Sequence, residues 1–293
     1  MSAMLTLPDS TGITMRIAVT ATPSQLGFAA ILWRGDVAAA FRAAAELGCQ
    51  GVERHLRHAD DIDLDCLTRL IADSRLEVPT LGTGLAAGLD GLTLSDPEES
   101  IRQAAVERAA GHIRLAAELG AAVIIGFLAG RLGASDDQEW RTRRAWALEG
   151  LAALCRAAEP LGVTLLLEPL NRYESDYINT LSDAADILRE IGAPNLKLLA
   201  DTFHMNIEEA DLAASLRAAG PRVGHVHLAD TNRQAPGHGH LDIAGILGAL
   251  DEIGYKGYLS FEVYPLPDAR RAVEDGIAAI RAAAGDSAER SQS

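Results

Sequence analysis

The chain has 293 residues, of which 48% are apolar, and a formal net charge of −15. This length is enough for one large domain or two ordinary ones. Nucleic acids and anionic membranes are bound through basic surfaces, so a chain this acidic is not expected to have either as a partner. No run of about 18 consecutive apolar residues is present, so no membrane span is predicted.

The cysteines and the first residues indicate the compartment. Cys49, Cys66 and Cys155 are odd in number and lie far apart, which is typical of free cysteines in a reducing compartment. The first ~14 residues lack a charged region followed by an apolar one, so no signal peptide is predicted. We therefore expect a cytoplasmic protein.

Strands and helices are predicted to alternate along the whole chain. Each predicted strand is a short apolar run, and several predicted helices begin at a polar cap or end at a glycine. A glycine-rich loop is predicted at 82–91. The strands are predicted at 16–20, 51–55, 78–81, 122–125, 163–167, 196–200, 223–228 and 258–263. The helices are predicted at 36–48, 64–74, 96–119, 137–159, 180–191, 208–219, 242–253 and 268–284.

This alternation predicts an α/β fold, a single (β/α)₈ TIM barrel. Repeated strand–helix units with continuously apolar strands indicate a parallel sheet, and eight units at this length favour a closed barrel. A doubly wound open sheet is the alternative, but no G-x-G-x-x-G follows the first strand. We predict one domain over 1–293, with an ordered barrel at about 15–285 and flexible ends.

Each of the last four predicted strands has an ionisable side chain at or near its carboxyl end. Successive members lie about one strand–helix unit apart, so they occupy equivalent positions in neighbouring strands. In a barrel such residues line the mouth where active sites form. Alone, each is typical of a salt bridge or a core histidine, but four in register predict one site. These strand-end residues are Glu168, Asp201, His227 and Glu262.

The composition of this set predicts a metal site. Three crowded carboxylates repel one another and raise a pKa, and a bound divalent cation removes that repulsion. One imidazole and three carboxylates suit Mn²⁺, Mg²⁺ or Co²⁺ better than structural zinc, which prefers sulfur and more histidine.

Three residues in the loops after these strands are candidates for ligand contacts. Glu174 follows Glu168 by six residues, and His204 follows Asp201 by three. Arg233 lies six residues after His227. All three belong to loops at the same face of the predicted barrel, although each could equally be an exposed or locally paired loop residue.

Other ionisable residues are given smaller roles. We interpret His225 as structural and facing away from the metal side, on the argument that it alternates with His227 along the strand. Glu53 is expected to face the barrel without a catalytic role. His238 and His240 lie in a glycine-rich turn, where they either order the loop or touch a ligand. No functional role is predicted for His55, His58 or His112.

Several segments resemble the D-tagatose 3-epimerase and related ketose 3-epimerase group, within the xylose-isomerase-like sugar isomerase and epimerase barrels. The resemblance extends over nearly the whole chain and is strongest to the branch with 5-keto-L-gluconate epimerases. The matching segments are Glu168-Pro169-Leu170-Asn171-Arg172-Tyr173-Glu174, Asp201-Thr202-Phe203-His204-Met205-Asn206, His225-Val226-His227, Gly82-Thr83-Gly84, Asp90-Gly91-Leu92-Thr93-Leu94, and Ile124-Ile125-Gly126 with Gly130-Arg131.

The resemblance implies an isomerase of carbohydrate metabolism that inverts C3 of a ketose or keto-sugar acid through a cis-enediolate. In the family, the residues matching the four strand-end residues bind one divalent metal, usually manganese. Those matching Glu168 and Glu262 also move the proton. The positions matching Glu174, His204 and Arg233 bind the substrate. Homodimers or homotetramers are common in the group, so we expect one of these states.

The same metal set is compatible with other reactions. An aldose–ketose isomerase of the hydroxypyruvate or xylose type would move a proton between C1 and C2, and a keto-inositol dehydratase would release water. A C-glycoside lyase subunit would need a partner chain, and an abasic-site endonuclease would need more histidine ligands and a basic surface. A barrel that binds sugar without turnover is the non-enzyme alternative.

A keto-acid substrate would need a carboxylate clamp, for which Arg57, Arg131, Arg172 and Arg233 are candidates.

Overall fold

The computed structural model describes residues 15–26 and 28–290, with side chains described as far as 285. The predicted flexible ends fall largely outside these residues, although the last helix extends to Arg290, beyond its predicted end at 284. Within the described part of the chain, no helix is long and apolar enough to cross a membrane.

Among the described residues, eight parallel strands form a closed barrel. Each barrel strand pairs with the next one in chain order, and the first pairs with the last through Arg16 with Tyr258 and Val19 with Phe261. The predicted (β/α)₈ barrel is confirmed, and closure excludes the open sheet. The barrel strands are β1 (Arg16–Thr22), β3 (Gly51–His55), β4 (Thr80–Gly82), β5 (Ala122–Ile125), β6 (Leu165–Leu167), β7 (Leu196–Asp201), β8 (Val223–His227) and β9 (Tyr258–Phe261), and the short β2 (Trp33–Arg34) pairs with β1.

Helices follow the strands and cover the outside of the barrel. Several begin where the sequence predicts, because an aspartate or threonine side chain accepts a hydrogen bond from the first turn, as Asp36 and Thr180 do. The α-helices are α1 (Val37–Glu46), α2 (Leu64–Ser74), α3 (Gly84–Asp90), α4 (Glu99–Leu119), α5 (Asp137–Ala158), α6 (Leu181–Ile191), α7 (Thr202–Glu208), α8 (Leu212–Ala219), α9 (Ile243–Glu252) and α10 (Ala269–Arg290).

Two of these helices were not predicted. The expected glycine-rich loop contains α3, because Leu85 and Ala86 between the glycines are buried and stabilise two helical turns. The expected helix at 208–219 corresponds to α8, which begins at Leu212 because Asp211 caps it. The second unpredicted helix, α7, lies before it at Thr202–Glu208. The Asp201 side chain caps α7 by accepting hydrogen bonds from the N–H groups of Phe203 and His204.

The apolar core has two parts. The larger part lies between the helices and the outer face of the barrel. Inside the barrel, Ile124, Leu166 and Leu199 form a small separate cluster. Polar side chains also lie in this interior, among them Glu53 and His225, which are fully or almost fully buried. Burying a charged side chain here is costly unless it is paired. Each buried ionisable group in the barrel interior therefore needs a partner.

Candidate functional site

The four strand-end residues meet at the carboxyl end of the barrel. Each is buried, and each offers one ligand atom that lies within 4.8 Å of the others. His227 Nδ1 lies 3.4 Å from Glu168 Oε1, 3.4 Å from Asp201 Oδ2 and 3.6 Å from Glu262 Oε2. The structure therefore brings together the four residues that the spacing singles out.

The hydrogen bonding at this cluster fits a metal ion. His227 Nδ1 is buried and has no hydrogen-bond partner among the described residues, although three carboxylates surround it. A buried polar atom without a partner costs free energy. A cation held by Nδ1 and the carboxylate oxygens would remove both this cost and the repulsion between the acids. These groups could hold one divalent ion.

The Nε2 atom of His227 contacts Glu53, for which the sequence predicts no catalytic role. Glu53 Oε1 lies 3.0 Å from His227 Nε2 and 2.8 Å from His55 Nε2. Glu53 Oε2 accepts a 2.7 Å hydrogen bond from Thr80 Oγ1 and lies 2.8 Å from His225 Nε2. Glu53 faces the barrel interior as expected, and its carboxylate is the centre of a buried cluster of three histidines.

This cluster corrects two interpretations. His225 does not face away from the metal side: its ring lies 5.4 Å from that of His227, and both contact Glu53. Residues two apart in a strand share a face, so the alternation argument was wrong. His55, given no role, lines the site cavity, and its Nε2 lies 3.6 Å from Glu262 Oε1. The signal for it was available, because Glu53 and His55 are also two apart.

The pKa values of two acids in the cluster, Glu168 and Asp201, are shifted in opposite directions. Burial raises the pKa of Glu168 to about 7, and the nearby carboxylates of Glu262 and Asp201 add to this. Burial would also raise the pKa of Asp201, but the Arg233 guanidinium holds it well below its usual range. Perturbed pKa values of this kind, here in two neighbouring acids, are common at functional sites.

Arg233 lies inside the cluster. Its Nη1 donates 2.8 Å hydrogen bonds to both carboxylate oxygens of Asp201, and its Nη2 donates to Glu262 Oε2. The guanidinium carbon lies 4.7 Å from the centre of the Phe203 ring. Arg233 is buried and has a φ of 60° in its turn, a backbone conformation that is uncommon outside glycine.

His204 and Glu174 are connected by Asn171, a residue that the sequence places in a motif without a role. Asn171 Nδ2 lies 2.9 Å from Glu174 Oε1 and 2.8 Å from His204 Nδ1. The Asn171 N–H also donates to His204 Nδ1, at 3.3 Å. Because Nδ1 accepts these bonds, the proton of neutral His204 belongs on Nε2, which faces the carboxylates of Glu168 and Asp201. Burial lowers the pKa of His204 to about 3, which keeps the ring neutral.

A cavity of about 130 Å³ opens beside the cluster. Glycine is required at its wall, because a Cβ at Gly126 would lie 2.4 Å from Glu168 Oε2. The polar lining includes Glu168, Glu262, Glu174, His204, Arg233 and His55, and the apolar lining includes Phe28, Ile124, Phe127, Leu170, Phe203 and Tyr264.

The remaining candidates lie elsewhere. Arg57 is paired with Asp90, and the exposed Arg172 is paired with Glu208. Arg131 is exposed and does not line the cavity. His238 Nε2 lies 2.9 Å from Asp275 Oδ2, His240 Nδ1 lies 3.2 Å from Thr231 Oγ1, and neither histidine lines the cavity. Of the four arginines considered as a carboxylate clamp, only Arg233 lines the cavity.

Several known proteins with similar sequences and folds are sugar epimerases. An L-ribulose 3-epimerase from Mesorhizobium japonicum is 33% identical over 220 residues, which cover 75% of this chain and 72% of that protein. The solved structure of an L-ribulose 3-epimerase has a TM-score of 0.77 at 26% identity, covering 95% of this chain and 97% of that one. The apo structure of a 3-keto-D-glucoside 4-epimerase from E. coli has a TM-score of 0.76 at 25% identity, covering 92% and 99%.

These relatives confirm the resemblance to ketose 3-epimerases, and sugar epimerisation is the class of activity that they support. A family model described as a xylose isomerase-like TIM barrel matches residues 41–283. That match includes seven of the eight barrel strands and all four strand-end residues. The chain therefore belongs to the xylose isomerase-like TIM barrel family.

Proposed function

We propose that the chain is a metal-dependent sugar epimerase that inverts C3, the carbon next to the keto group, of a ketose or keto-sugar acid. The supporting observation is that two of the three clustered acids line the cavity. Glu168 and Glu262 line the cavity, whereas Asp201 and His227 do not. Two acids that face a ligand from different strands are what inversion through proton exchange requires.

The cofactor would be one divalent ion held by the four strand-end residues, with Mn²⁺ preferred over Mg²⁺ or Co²⁺. The unpartnered Nδ1 of His227 and the three surrounding carboxylates support this assignment. When bound, the ion supplies Lewis-acid polarisation of a carbonyl oxygen, an effect worth several kcal/mol.

The protein would move the proton in two steps. One of Glu168 and Glu262 removes the C3 proton on one face of the sugar and leaves a cis-enediolate. The other glutamate returns a proton to the opposite face of C3, which gives the 3-epimer. Positioned acid–base groups typically contribute ~10²–10⁴-fold. Which glutamate acts first would depend on the configuration of the substrate.

Three further residues would bind and orient the sugar. His204 presents its Nε2–H to the site because Asn171 occupies Nδ1, and this donor would stabilise the developing charge on O2. The Arg233 guanidinium would act on the same charge. Glu174, fixed by Asn171, would accept a hydrogen bond from a sugar hydroxyl.

The charges lining the cavity favour a neutral ketose over a keto-acid. Among the described residues that line it, Arg233 is the only arginine or lysine, and Asp201 and Glu262 already pair with it. A substrate carboxylate would therefore meet Glu168, Glu174 and Glu262, and the one arginine beside them is already paired. The likeness to the 5-keto-L-gluconate branch stays a prediction, as do the cytoplasmic location and a homodimer or homotetramer.

A second candidate is epimerisation at C4 of a 3-keto sugar. The structural similarity to the E. coli keto-glucoside 4-epimerase, which covers 99% of that chain, favours this reaction. Both reactions exchange a proton on the carbon next to a ketone, so the same two glutamates would serve. The position of the ketone in the accepted substrate distinguishes them.

Deuterium exchange tests the proposed function directly. The protein with Mn²⁺ in D₂O is incubated with D-fructose, D-tagatose, D-psicose, 5-keto-L-gluconate and a 3-keto-glucoside, and products are followed by NMR. We expect deuterium at C3 of a ketose together with its 3-epimer. Deuterium at C1 would instead indicate an aldose–ketose isomerase, and deuterium at C4 of the 3-keto sugar would indicate the second candidate. A dehydrated product would indicate a dehydratase, and no exchange in any sugar would contradict all these assignments.

A further inference from the structure

We infer that Glu53 is a positioning residue for the metal site: it fixes the ring of His227 so that Nδ1, and not Nε2, faces the ion. This inference rests on the proposed metal site and extends it to Glu53, which is not one of the four proposed ligands and does not line the cavity. It concerns which nitrogen of His227 is the ligand and what holds it there.

The environment of Glu53 supports an orienting role. Its side chain is fully buried, and its two oxygens are in contact with four donor groups, two at each oxygen. Those at Oε1 are the Nε2 atoms of His55 and His227, and those at Oε2 are His225 Nε2 and Thr80 Oγ1. A carboxylate only accepts hydrogen bonds, so each imidazole must present a protonated Nε2 to it.

The consequence for His227 follows from its two nitrogens. When Nε2 carries the proton that Glu53 accepts, neutral His227 has its lone pair on Nδ1. Nδ1 is the atom 3.4 Å from Glu168 Oε1 and Asp201 Oδ2, with no hydrogen-bond partner among the described residues. Glu53 thus selects both the tautomer and the ring orientation that a metal needs. Partners of metal-binding histidines commonly have this effect.

The Glu53 carboxylate also contacts His55, which lines the cavity beside Glu262. The Nε2 atom of His55 lies 3.6 Å from Glu262 Oε1. The His55 ring lies 5.3 Å from the Phe28 ring. Since Glu262 is both a proposed ligand and a proposed base, loss of Glu53 would disturb two of the four ligands together.

Metal titration of Glu53→Gln tests this role. The glutamine amide keeps the size of the side chain but replaces one acceptor by an N–H₂ donor, which faces imidazole N–H groups. We expect Mn²⁺ affinity, measured by electron paramagnetic resonance of free Mn²⁺, to fall about 10–100-fold. Thr80→Val is the matched control, because it removes one donor to the same carboxylate without touching His227. We expect its affinity to stay within about threefold of wild type.

The outcomes separate this inference from the proposed function. A wild-type protein that binds no divalent ion contradicts the metal site itself. Wild-type binding with an unchanged affinity in Glu53→Gln contradicts only the role of Glu53. Equal losses in Glu53→Gln and Thr80→Val would also contradict it, because general loosening of the barrel interior would then explain both.

A measurement on the wild-type protein does not depend on whether the variants fold. In ¹⁵N-histidine-labelled protein loaded with diamagnetic Mg²⁺, we expect His227 to have a protonated Nε2 and an unprotonated Nδ1. A His227 with its proton on Nδ1 would overturn the inference, whatever the variants do.

Discussion

Glu262→Gln is expected to lower kcat for epimerisation by about 10²–10⁴-fold while most of the metal binding remains. An amide cannot take up or return a proton, but its oxygen can still bind a cation and accept the hydrogen bond from Arg233. The substitution therefore separates proton transfer from metal binding at one position. Product formation and deuterium uptake at C3 are followed by NMR, and Mn²⁺ affinity is measured in parallel.

The control for this variant is Glu46→Gln, which changes an exposed glutamate that is paired with Arg270 and does not line the cavity. We expect this control to retain wild-type turnover. Full activity in Glu262→Gln would refute the mechanism with two acid–base glutamates. Loss of metal with the activity would assign Glu262 a ligand role and leave its proton transfer undemonstrated.

Removal of the metal is expected to have the other large effect. A Lewis acid contributes several kcal/mol to such a reaction, and each ~1.4 kcal/mol is a factor of ten in rate. Chelation followed by dialysis should therefore lower turnover by about 10²–10³-fold or more, and stoichiometric Mn²⁺ should restore it. The metal should also raise the melting temperature, since a ligand at 100 times its Kd stabilises a fold by about 2.7 kcal/mol.

The controls for metal removal are other ions and a ligand variant. Mg²⁺ and Co²⁺ should restore part of the activity, and Mn²⁺ should not raise the melting temperature of His227→Ala to the same extent. Undiminished turnover in protein whose metal content is far below one ion per chain would contradict a metal-dependent mechanism.

The parts of the site that the sequence predicts are those set by strand spacing. Side chains one strand–helix unit apart must meet at the mouth of a barrel, so their spacing alone groups Glu168, Asp201, His227 and Glu262. Their approach to within 4.8 Å agrees with that argument. The closed barrel was predictable as well, because eight repeated strand–helix units at this length favour it over an open sheet.

The parts that were missed depend on contacts between residues distant in sequence. Glu53 lies 174 residues from His227, and nothing local to either residue marks their contact. Asn171 gains its role only when α7 places His204 against it. The error on His225 was different in kind, because the two-residue strand period already placed it on the face of His227.

The most direct measurement for the central claim is the position of the bound ion. Crystals prepared with Mn²⁺ and studied by anomalous scattering should show one strong peak that lies within coordination distance of Glu168, Asp201, His227 Nδ1 and Glu262. A peak at another cluster, or crystals with Mn²⁺ present and no peak among these four side chains, would contradict the account.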